Sequence, residues 1–297
     1  MKWTRGNRSE NVEDRRGQSA GGGRMRLPLP GGRGGRMSLG GIVLVLAIAY
    51  FTGMDPLTLL AGGGGMPLPT DATGMEEGGF DSSGPPASTS PADDEKADFM
   101  SFVLDDAQTA WARLLPDYRD AKLVLFRGAV RSGCGDAEAA MGPFYCPADE
   151  KVYIDLAFYD ELARRFGAPG DFAQAYVLAH EIGHHVQTVT GTEAKLRELQ
   201  RRNPEHQNEL SVRMELQADC YAGIWAHSTA RRDLLEAGDL QEGLGAAAAV
   251  GDDRVQQMSG GGVHPESFTH GSAEQRMEWF QRGYRAGDPT ACDTFAS

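Results

Sequence analysis

Cysteine is scarce in this chain, and no two cysteines form a C-x-x-C pair. The four present are Cys134, Cys146, Cys220 and Cys292, a spread that argues against a cysteine-built metal site. No internal repeat is evident, and 297 residues with 40% hydrophobic content permit one sizeable core beside flexible segments. Acidic side chains are nearly missing from the start of a chain whose net charge is −13. Residues 1–36 hold Lys2, Arg5, Arg8, Arg15, Arg16, Arg24, Arg26, Arg33 and Arg36 against only Glu10, Glu13 and Asp14. Arginine and glycine with few apolar partners cannot build a core, so residues 1–37 are expected to be a disordered basic arm. The strong acidity of the rest argues against a nucleic-acid binder.

Long hydrophobic runs are also few. Leu39 to Met54 is almost unbroken but short for a span, and Leu57 to Ala61 extends it past Asp55-Pro56. A signal peptide is the rival reading, but the charged stretch before it is long and no clean A-x-A site follows. Positive charge ahead of the segment orients the N-terminus inward. The expectation is one transmembrane helix over 38–61, a single-pass anchor in the inner (cell) membrane. Its N-terminus would be cytoplasmic, and the rest would lie in the periplasm or outside the cell. Residues 62–96, rich in Gly, Pro, Ser, Thr and Asp, read as a flexible linker. The folded domain is expected over 97–297. Outside the cytoplasm, four unclustered cysteines suggest disulfides. Sequence allows three pairings, and proximity favours Cys134–Cys146 with Cys220–Cys292.

Within that domain, apolar spacing predicts a first helix through Phe99, Trp111 and Leu115, closed by Pro116. Lys122–Phe126 and Lys151–Leu156 alternate like strands, the second being either core or a cleft edge that pairs with an extended peptide. A short helix over 157–166 precedes Asp171, read as the N-cap of the next one. That helix carries His180-Glu181-x-x-His184 among Val177, Leu178, Ile182 and Val186. Residues four apart lie nearly above one another, so both imidazoles can point at one metal ion, while Glu181 is turned by about 100°. Zinc with an open position lowers the pKa of bound water to roughly 7, and Glu181 can then act as general base. Chance alone supplies such a motif in roughly one chain per hundred of this length. The competing view, a helix with two unrelated histidines, must explain three buried polar groups without partners.

Downstream, Thr192–Arg202 and Glu205 to about Ala230 read as helices, and Leu240–Val255 as an Ala-rich one. The second carries Glu215, a candidate third ligand. It also carries Asp219, which can accept the other ring N–H of a ligating histidine. His185 points away from His184 and is not taken as a ligand. Ser272 and Gln275 form a capping-box pattern before the last helix. His270 lies just ahead of that cap and is a candidate donor to an oxyanion. Its alternative is a packing role.

His180-Glu-Ile-Gly-His-His-Val-Gln187, Glu215-Leu-Gln-Ala-Asp-Cys-Tyr-Ala-Gly223, Ser267-Phe-Thr-His-Gly271 and Cys292-Asp-Thr-Phe295 together resemble the bacterial neutral zinc metallopeptidases of the YpfJ type. Gly142-Pro-Phe-Tyr-Cys-Pro147 fits the same pattern. The resemblance covers about residues 97–297, with the basic N-terminus and membrane segment. It implies an α+β zincin, mostly helical with a small sheet, of the glutamate-zincin kind. His180, His184 and Glu215 would hold one Zn2+, and the substrate would be a protein or peptide. The rival function is a catalytically silent zinc-binding module that tethers partners at the envelope.

Overall fold

Alternation along two short strands decides which way the centre of the molecule faces. Leu123 and Leu125 of one strand and Val152 and Ile154 of the other point into the main core, while Val124, Phe126 and Tyr153 point to the opposite face. Both faces are therefore covered. This is seen in a computed structural model, which describes residues 1–6, 8–18 and 90–295. The four-stranded sheet has the order β1-β2-β6-β5, from Val12–Asp14 (β1), Lys122–Phe126 (β2), Lys151–Asp155 (β6) and Phe144–Cys146 (β5). Val12 pairs with Leu123 and Leu123 with Val152, both in parallel, while β5 runs antiparallel to β6. Ala129–Ser132 (β3) and Gly135–Glu138 (β4) make a separate hairpin. Lys151–Leu156 is thus an interior strand and not a cleft edge; the edges among the described residues are β1 and β5.

Eight α-helices among the described residues pack around this sheet. They are Pro91–Leu114 (α1), Ala157–Arg164 (α2), Asp171–Val189 (α3), Thr192–Arg202 (α4), Gln207–Arg231 (α5), Asp239–Ala249 (α6), Asp252–Met258 (α7) and Ala273–Ala286 (α8). The mostly helical α+β character expected from sequence is what forms. Helix α1 begins ahead of the expected boundary, because Ser90 and Asp93 close a capping box with Pro91 in the first turn. Asp171 is the first residue of α3 and not its cap; Gly170 takes that place at φ 119°. The single helix expected over Leu240–Val255 is two helices. They break at Gly251, where a Cβ would lie 2.4 Å from the Ala273 nitrogen.

The basic N-terminal segment is the main correction. Met1–Gly17 belongs to one compact unit with Thr89–Ser297. The Leu123 N–H donates to the Asn11 carbonyl at 2.9 Å, and the Arg15 N–H donates to the Leu125 carbonyl at 2.8 Å. Trp3 packs on Phe99 with ring centroids 5.3 Å apart. Arg16 is only 3% exposed and donates to Asp14 and Asp94, while Arg8 donates to Asp98. The arginines that suggested a disordered arm here pair with carboxylates of α1 and of their own strand. The rest of that arm, the anchor expected over 38–61 and the linker up to residue 89 lie outside the described residues. Among the described residues no helix is long and apolar enough to cross a membrane.

Both expected disulfides are present. Cys134–Cys146 ties the β3–β4 turn to β5, and Cys220–Cys292 ties α5 to the C-terminal turn, with Cα separations of 5.8 and 5.6 Å.

Candidate metal centre

Helix α3 runs through the core, burying Phe172, Tyr176, Leu178, Ala179, Ile182 and Val186 on several faces. Phe172 stacks on Trp225 of α5 at 5.5 Å, and Tyr176 meets Phe280 of α8 edge-on at 5.5 Å. This packing fixes α3 against α5, and the polar residues on the facing sides meet. Nε2 of His180 lies 3.1 Å from Oε2 of Glu215, and Nε2 of His184 lies 3.5 Å from its Oε1. One donor atom from each of His180, His184 and Glu215 falls within 4.8 Å of the others. A tetrahedral zinc with bonds of about 2.0–2.1 Å separates its ligand atoms by roughly 3.3–3.4 Å. The donor set and its spacing therefore fit the ion. His185 faces elsewhere, with Nδ1 3.0 Å from the Tyr145 hydroxyl and Nε2 2.6 Å from the Arg119 carbonyl.

Behind the three donors sits a buried network. Asp219 is fully buried; its Oδ1 lies 2.9 Å from His180 Nδ1 and also accepts from the Tyr176 hydroxyl. Arg276 of α8 donates from Nε to Asp219 Oδ2 at 2.8 Å and from Nη2 to Oδ1 at 3.0 Å. Arg276 escaped the sequence reading, because an arginine in a charged helix reads as a solvent-facing residue. The signal was its place on the buried stripe Ala273, Arg276, Phe280 and Gly283.

Electrostatics follow from this arrangement. Burial opposes the charged form of Asp219, but Arg276 and His180 hold its carboxyl below the usual range. Glu215 is held well below it, since the two histidines outweigh its desolvation. Burial likewise opposes a charged His180, yet Asp219 and Glu215 push it up to about 10. His184 is raised as well, against its burial, by Glu215.

His270 lies in the loop between α7 and α8 and is half-exposed. Asp252 organises that loop: its Oδ2 accepts from the backbone N–H groups of Thr269, His270 and Gly271 at 2.7, 2.7 and 3.0 Å. Its Oδ1 is 3.2 Å from His270 Nδ1. Desolvation opposes a charged His270, but Asp252 and the nearby Glu215 raise it above the ordinary value. Glu181 is 8% exposed on the same helix turn as His180.

Comparison with known proteins agrees with this chemistry. The family described as "Putative neutral zinc metallopeptidase" matches residues 1–295. The chain is 47% identical over 303 residues to "Uncharacterized protein YpfJ" of Escherichia coli (strain K12), covering 99% of each. It is 46% identical over 198 residues to "Uncharacterized protein Rv2575" of Mycobacterium tuberculosis (strain ATCC 25618 / H37Rv), covering 63% of this chain and 66% of that one. No solved structure matches the chain.

Proposed function

Since the chain belongs to the putative neutral zinc metallopeptidase family, whose cofactor is zinc, we propose that it hydrolyses peptide bonds at a centre built from His180, His184 and Glu215. The observation that carries this reading is the convergence of those three donor atoms within 4.8 Å beside an acidic side chain one residue from the first ligand. Zinc held there would polarise a carbonyl oxygen and acidify water to a pKa of about 7. The protein's own groups do the rest. The Glu181 carboxylate takes a proton from the attacking water and returns it to the leaving amine nitrogen. Asp219 holds the proton on His180 Nδ1, which leaves Nε2 free for the metal. Arg276 balances the Asp219 charge, and His270, held by Asp252, donates a hydrogen bond to the developing oxyanion.

The two disulfides support a domain outside the cytoplasm. Membrane attachment through residues 38–61 is part of the same proposal. The pairing of β1 with β2 supports an attachment that leaves both flanks of that segment on one side. The deciding experiment measures zinc content and peptide-library cleavage for wild type, Glu181→Gln and His184→Ala. Glu181→Gln should keep zinc while cleavage falls by a factor of about 10² or more, and His184→Ala should lose zinc. Full zinc in His184→Ala sinks the site, whereas zinc without cleavage in wild type favours a silent binding module.

A further inference from the structure

Asp219 accounts for His180, but it leaves the second histidine's outer nitrogen to another partner. His184 Nδ1 lies 2.8 Å from Gln187 Oε1, nearly one turn further along α3. Gln187 is fully buried, and its amide nitrogen donates to the Met214 carbonyl at 2.7 Å and to Gln217 Oε1 at 3.1 Å. Gln217, 6% exposed, donates in turn from its amide nitrogen to the Cys292 carbonyl at 2.9 Å.

The direction of this chain is set at its far end. A backbone carbonyl only accepts, so Cys292 obliges Gln217 to present its NH2 there and its oxygen to Gln187. Met214 and Gln217 then claim both amide hydrogens of Gln187. Turning that amide over would set its oxygen against the Met214 carbonyl and strand a buried acceptor. Only the Gln187 oxygen is left to face His184, and it can only accept.

We infer that Gln187 is a positioning residue for metal binding: through Gln217 and the Cys292 carbonyl it keeps the proton of the neutral His184 ring on Nδ1, so that Nε2 is the nitrogen offered to the metal beside Glu215. This rests on the metal site proposed above and adds to it a device for the second histidine. The carbonyl that anchors the relay belongs to a cysteine tied to Cys220 on α5, the helix that carries Glu215. Ligand orientation and helix packing therefore share one fixed point.

The test compares zinc dissociation constants, by chelator competition, for wild type, Gln187→Leu, Gln187→Glu and Gln217→Leu, alongside urea stability of each metal-free protein. Gln187→Leu should weaken zinc about 10–100-fold. Gln187→Glu keeps an acceptor for His184 and should hold zinc within a few-fold of wild type, although it loses both donors and stability. Gln217→Leu leaves the Met214 anchor intact and should fall between wild type and Gln187→Leu. Zinc affinity that simply tracks stability across the series, or an unchanged affinity in Gln187→Leu, overturns the inference. Nitrogen-15 spectra of the His184 ring, taken at a pH high enough for the ring to be neutral, provide a second measurement that needs neither zinc nor the variants. A wild-type Nδ1 without a proton overturns the relay. A protonated Nδ1 in a protein that takes no zinc would keep the relay and remove the metal site.

Discussion

The Nε2 atoms that face Glu215 are the atoms on which a proton and a metal ion compete. In the folded metal-free chain His180 is raised from 6.5 to about 10, and His184 is raised too. A raised histidine contributes stability that is fully present below its unfolded pKa and is lost as pH climbs through the folded value. Metal-free protein should therefore lose stability between about pH 6.5 and 10, read from urea unfolding in chelator. Zinc needs bare nitrogens, so its affinity should rise with pH over the same window. Affinity that falls there would contradict the protonated site. Arg276 gives a second expectation at this scale. Arg276→Met leaves Asp219 buried with its main counter-charge gone and should cost about 3–5 kcal/mol, measurable by denaturation. The His180, Glu181 and His184 set was legible in sequence because one helix turn contains it. Arg276, Gln187 and Gln217 were not, since each matters only through a partner distant in sequence or on a buried face that periodicity alone does not reveal.

Helices α3, α5 and α8 meet through glycines, and this sets the ligand distances. A Cβ on Gly183 would lie 2.9 Å from the Ala218 carbonyl oxygen, so α3 and α5 touch between His180 and His184. A Cβ on Gly283 would lie 1.9 Å from the Cys220 carbonyl oxygen, and one on Gly223 would lie 2.1 Å from that of Phe280. Backbone atoms cannot yield as a flexible side chain can. Gly183→Ala gains up to about 1 kcal/mol of helix propensity, yet must push the two helices apart. Its expected outcome is zinc affinity weakened by about tenfold or more, because the histidines and Glu215 sit on opposite sides of the contact. Unchanged affinity would mean that the ligand spacing tolerates the shift. Gly283→Ala should destabilise the fold by about 1–3 kcal/mol or more, with little of that recovered by zinc. The sequence marked these helices by their apolar spacing. It did not mark their closeness, since a glycine inside a helix reads equally as weakness or as contact. The break at Gly251 was hidden for the same reason: Leu240 to Val255 keeps helical spacing across it.

At the scale of the whole molecule, the strand at residues 12–14 constrains how the chain can meet a membrane. β1 pairs with β2, Trp3 packs on α1, and Lys151 donates to Glu13 at 2.7 Å. These contacts hold the N-terminal segment in the same unit as the candidate metal centre. A single crossing by residues 38–61 would put β1 and β2 on opposite faces of the bilayer. We therefore propose that the N-terminal segment and the domain lie on the same side of the membrane. The positive-inside argument counts arginines as free charges. Arg8 and Arg16 are spent on Asp14, Asp94 and Asp98 within the fold. Cysteine labelling tests this directly, because all four native cysteines are in disulfides. Arg5 and Arg201 are exposed positions on the N-terminal segment and on α4. Arg5→Cys and Arg201→Cys should both react with an impermeant maleimide from the same side of intact spheroplasts. Labelling from opposite sides would break β1 away from the sheet. It would also remove Arg16 from its buried place beside Asp94, so the domain's stability should then be indifferent to Arg16→Ala. With same-side labelling, that substitution should lower stability by about 1–3 kcal/mol, because it removes the buried guanidinium that donates to Asp14 and Asp94.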